Sequence, residues 1–73
     1  MNQIVLKVER GMWVAEHSGP ASDEIQELFG TRTIQTPFST STNTETVLSE
    51  VTRLNPEFNV VISIMAMIEA QAS

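Results

Sequence analysis

The chain has no cysteine, and that one absence removes disulfides, thiolate metal sites and a cysteine nucleophile together. Its single histidine, His17, leaves the usual structural zinc sites without a ligand set. Basic residues are scarce: four Lys and Arg stand against nine Asp and Glu, for a formal net charge of −5. Binding to nucleic acid rests on neutralising phosphates with Lys and Arg, so no direct nucleic-acid contact is expected, and an anionic membrane surface is disfavoured for the same reason. Long apolar runs are missing as well. The most apolar segment, Val60 to Ile68, is interrupted by Ser63 and falls short of the roughly 20 residues a bilayer requires. The stretch Met1 to Ile4 has no basic region leading into an apolar one, so no secretory signal is expected and a soluble, cytoplasmic protein is the default. No Gly-rich phosphate loop occurs, since Gly11, Gly19 and Gly30 each fall at an expected turn or cap.

What is present makes one small domain. A chain of 73 residues buries only about 60% of the surface its unfolded form exposes, so its core is marginal. With no covalent or metallic staple, such a domain commonly finds its missing burial in a partner or in another copy of itself.

From Gln3 to Glu9, Ile4, Leu6 and Val8 alternate with Lys7 and Glu9, the period of a half-buried strand. Glu9-Arg10-Gly11-Met12 reads as a hairpin turn, and Met12 to His17 as the second strand, with Trp13 and Ala15 on one face. Ser18-Gly19-Pro20-Ala21 is turn chemistry. A short helix follows: Ser22 is its expected N-cap, Asp23 and Glu24 oppose the helix dipole, Ile25, Leu28 and Phe29 form its apolar face, and Gly30 is its C-cap. Thr31 to Phe38 is rich in β-branched residues but contains Pro37, which has no amide hydrogen to donate; it reads as an extended connection or an edge segment. Nine Ser and Thr residues fall between Thr31 and Thr46, and local bonds from their hydroxyls to nearby backbone account for them better than a ligand does. Thr42-Asn43-Thr44-Glu45 fits a capping box that opens a helix with Val47, Leu48, Val51 and Leu54 on one face, stopped by Asn55-Pro56. Phe58, Val60, Ile62 and Ile64 then alternate along a last strand that is apolar on both faces.

The pattern predicts an α+β fold, a small two-layer ββααβ domain with a three-stranded sheet and two helices on one face, spanning residues 1–65 with a C-terminal tail over 66–73. If the last strand lies beside the first, it becomes an apolar edge that asks to be paired, and this predicts a homodimer.

At Glu27-Leu28-Phe29-Gly30-Thr31, Thr36-Pro37-Phe38 and Leu54-Asn55-Pro56 the chain resembles short bacterial and phage-type proteins of unassigned function, which share an LFGT and TPF core and an Asn-Pro before a final strand. The resemblance covers about Leu6 to Ile62. It implies a phage or mobile-element origin and carries no activity and no site residues.

Three functional readings follow. The first is a non-enzymatic interaction or structural protein with no cofactor or metal, self-associating through Trp13, Phe58, Val60, Ile62, Ile64 and Met65; tryptophan is frequent at binding hot spots and methionine repacks readily. The second is a phage-type inhibitor that presents Glu16, Asp23, Glu24 and Glu27 to the basic surface of a host protein. The third is a ligand-binding module or small enzyme using His17, with Glu16, Asp23 or Glu24 near it in sequence for acid–base work. No catalytic set is expected, since a nucleophile motif and an oxyanion-hole motif are both missing.

Overall fold

The computed structural model describes the backbone of residues 1–72 and the side chains of residues 1–68, so that part of the expected C-terminal tail lies outside the described residues. Strands β1 (Gln3–Glu9) and β2 (Met12–Ser18) pair antiparallel, with Ile4 opposite His17, Leu6 opposite Ala15 and Val8 opposite Trp13. Arg10 (φ 53°) and Gly11 (φ 76°) both occupy the left-handed region, as a two-residue hairpin turn matched to strand twist requires. After β2 come α1 (Ser22–Phe29), β3 (Thr33–Ser39), α2 (Thr44–Leu54), β4 (Asn59–Ile62) and α3 (Ile64–Ala72).

The sheet is mixed, with the order β3-β2-β1-β4. The last strand does lie beside the first, parallel to it, with Val60 opposite Ile4 and Ile62 opposite Leu6. The expected three strands and two helices are corrected to four strands and three helices among the described residues.

Two competing effects explain the difference. Pro37 does not keep its segment out of the sheet, because β3 is an edge strand and takes up the missing donor by a register shift: Val14 stands opposite Gln35, whereas Met12 stands opposite Ser39. The alternation from Phe58 to Met65 ends as strand at Ile62, where the Ser63 carbonyl accepts the Met67 amide at 3.0 Å and opens α3. A continuous apolar run does not distinguish a strand from a buried helix segment by period.

The core sits on one face of the sheet. Ile4, Leu6, Trp13 and Ala15 from β1 and β2 meet Val47 and Val51 from α2 and Ala66 from α3, with Val8, Phe38, Leu48, Phe58, Val60 and Ile62 packed around them. The other face carries Val5, Lys7, Val14 and Glu16, with Lys7 Nζ 2.9 Å from the Glu16 carboxylate.

The helix starts differ from expectation by one residue each. Asn43, not Thr42, caps α2, its Oδ1 accepting from the Glu45 amide at 2.8 Å. Ala21 precedes α1 with no side-chain cap, and Ser22 is instead buried inside the first turn, its Oγ donating to the Gly19 carbonyl at 2.6 Å. Gly30 closes α1 in the left-handed conformation, its amide donating to the Gln26 carbonyl at 2.8 Å.

Candidate functional site

An apolar groove of about 340 Å³ lies among β2, α1, β3 and α2. Its floor is the β2 row Ala15 and His17, which faces the core side because side chains alternate along a strand. One wall is Ile34, Thr36 and Phe38 of β3, which alternate in the same way; the lips are Ile25 and Phe29 of α1 and Leu54 of α2.

His17 is only 6% exposed. Its Nδ1 lies 3.1 Å from the carbonyl of Arg32, which also accepts the His17 amide at 2.7 Å. A carbonyl only accepts, so Nδ1 carries the hydrogen, and in the neutral ring Nε2 is an acceptor. Phe58 meets the imidazole edge to face, with ring centroids 5.2 Å apart and planes at 88°.

The structure does not assemble the acid–base set suggested around this histidine. Glu16 points to the opposite face of β2 and pairs with Lys7, while Asp23 pairs with Arg32 Nη2 at 2.8 Å; neither hydrogen-bonds to His17. The four acids Glu16, Asp23, Glu24 and Glu27 likewise do not form one free patch. Two of them are neutralised by ion pairs, and Glu24 and Glu27 stand exposed on α1.

The residues expected to self-associate are also divided. Trp13 is wholly inside the core, where its indole Nε1 is the one buried side-chain nitrogen or oxygen without a hydrogen-bond partner among the described residues. Val60 and Ile62 pack against the core from β4, and Phe58 packs on His17. Ile64 and Met65 lie on α3 instead of a strand, 76% and 66% exposed.

The helical spacing placed Leu28, Phe29 and Leu54 on the apolar faces of their helices, yet all three are exposed. They share one signal: each falls in the last turn of a short helix that ends at Gly30 or Asn55-Pro56.

Several of the Ser/Thr hydroxyls are used locally. Thr36 Oγ1 accepts from the Phe38 amide, Thr31 Oγ1 accepts from the Thr33 amide, and Ser39 and Ser41 bond each other at 2.6 Å, whereas Thr36 Oγ1 also donates to Trp13 O, 23 positions away on the neighbouring strand. Among the described residues there is no cluster of three or more His, Asp or Glu fit to hold a metal, and no helix long and apolar enough to cross a membrane. No family model matches the chain, and neither a curated protein nor a solved structure is significantly similar to it.

Proposed function

We propose that this chain is a non-enzymatic interaction protein that associates with its own copies through the outer side of α3. One observation carries the reading: Ala66 is buried in the core and anchors the helix, while Ile64, Met65, Met67 and Ile68 around it are all large, apolar and exposed. Apolar residues grouped in this way on a small domain mark a contact surface more often than single exposed ones do. Charge supports a contact here. Each copy carries −5, so two copies repel, whereas the segment Ser63 to Ile68 contains no charged residue. Methionines at the centre of such a patch repack readily against an apolar counterpart. No specific observation favours the inhibitor reading, because two of its four acids are already paired.

Light scattering coupled to size exclusion at low micromolar concentration tests the proposal. Wild-type protein should run as a dimer or larger, and the double variant Ile64→Lys, Ile68→Lys as a monomer with unchanged circular dichroism. A wild-type chain that is a clean monomer would overturn it.

A further inference from the structure

The groove between α1, β3 and α2 lies apart from the outer side of α3 and carries a separate inference. We infer that it is a binding site for a small apolar molecule, aromatic by preference, that carries one N–H or O–H donor, with His17 Nε2 as the acceptor.

The lining selects this chemistry in three ways. First, although 18% of the chain is charged, none of the groove residues is Asp, Glu, Lys or Arg, so an ionic ligand would lose its hydration without gaining a partner. Second, the hydroxyl and imidazole donors at the site are already used. Thr36 Oγ1 donates to Trp13 O, Asn55 Nδ2 donates to Val51 O at 2.9 Å, and His17 Nδ1 donates to Arg32 O. What remains at His17 without a partner among the described residues is an acceptor, Nε2, while Asn55 keeps its Oδ1 and its second Nδ2 hydrogen. An imidazole that offers the groove only an acceptor discriminates in favour of a ligand that brings a donor, because a ligand without one leaves it unpaired in an apolar groove. Third, the volume of about 340 Å³ falls at the lower end of small-molecule sites, roughly 300–1,000 Å³, and the exposed lips Phe29 and Leu54 offer apolar surface for a flat ring to cover.

The acceptor is also held in place. Phe58 packs edge-on against the imidazole, and the Arg32 carbonyl fixes its tautomer, so little rotamer freedom is lost on binding.

Indole and indene test the inference, since they share one bicyclic shape and only indole has an N–H. In amide-resolved NMR titrations of the full chain, both should shift Ala15, His17, Ile34, Phe38 and Leu54, and indole should bind about 5-fold tighter, the worth of one net hydrogen bond. The imidazole Nε2 resonance of the wild-type protein should move with indole and stay with indene. In His17→Phe the preference should fall to about one while both probes still bind. If that variant does not fold, the wild-type Nε2 shift decides alone. Equal affinity for the two probes, an unmoved Nε2, shifts centred on α3, or no shifts up to the probes' solubility would each overturn the proposal. So would concentration-dependent shifts at the groove residues before any probe is added, which would mean that another copy fills the groove.

Discussion

Thr36 Oγ1 donates to the backbone carbonyl of Trp13 across 2.7 Å and accepts from the Phe38 amide at 3.2 Å. This happens where the β2–β3 register breaks, between Val14 opposite Gln35 and Met12 opposite Ser39, and where Pro37 has no amide hydrogen to give the ladder. One hydroxyl therefore holds the irregular part of an edge strand onto the strand that carries the core tryptophan.

Thr36→Val keeps the shape of the side chain and removes both bonds. It should destabilise the fold by about 1–3 kcal/mol, the cost of leaving the Trp13 carbonyl unpaired, and Thr36→Ser should recover most of the loss. Urea denaturation followed by the fluorescence of Trp13 measures both. A Val variant with an unchanged midpoint would mean that the bond contributes nothing.

Gly19 and Gly11 both have positive φ, 97° and 76°, but only Gly19 is crowded. A Cβ there would press on the Met1 carbonyl oxygen and stand 2.7 Å from Asn2 Cα and 2.8 Å from Asn2 Oδ1, the atom that accepts the Ala21 amide; at Gly11 a Cβ meets nothing within 4 Å. Gly11→Ala should cost about 1 kcal/mol for the backbone conformation alone, and Gly19→Ala upwards of 3, because the Asn2 clamp must open as well. Thermal melts of the two variants should separate clearly. Equal losses would contradict the role given to Asn2.

The Glu50 carboxyl is held below the ordinary carboxylate range, first by its hydrogen bond from Arg53 Nη2 at 2.6 Å and then by the charge of that guanidinium. A folded-state value below the unfolded one means that the pair stabilises the protein above the unfolded carboxylate range and loses that contribution as pH falls through the lowered value. The pair is solvent-exposed, so the effect on stability is small, but the Glu50 side-chain carboxyl resonance should titrate below the ordinary carboxylate range and return to it in Arg53→Ala. An unchanged midpoint in that variant would show that the pair does not form in solution.

The elements were largely legible in the residues themselves. The hairpin followed from two alternating runs around Arg10-Gly11, the end of α1 from Gly30, and the body of α2 from Val47 and Val51 at helical spacing before Asn55-Pro56. Trp13, named among the residues for self-association, rests in the core instead. The groove was less legible. His17 stood out as the only histidine, but its partner is the carbonyl of Arg32, fifteen positions away, and no side-chain pattern announces a carbonyl.

Local rules thus determined which stretches are strand and which are helix wherever the period was clean, because a strand or a helical turn depends on neighbours within a few residues. The tertiary structure decided the rest: that Thr33–Ser39 joins the sheet despite Pro37, that the chain leaves β4 for a helix at Ser63, and that Phe29 and Leu54 overhang a groove instead of filling the core. Each of these depends on which element lies alongside. An edge strand tolerates a missing donor, an apolar run takes the geometry its neighbours allow, and an apolar side chain is buried only where another surface reaches it.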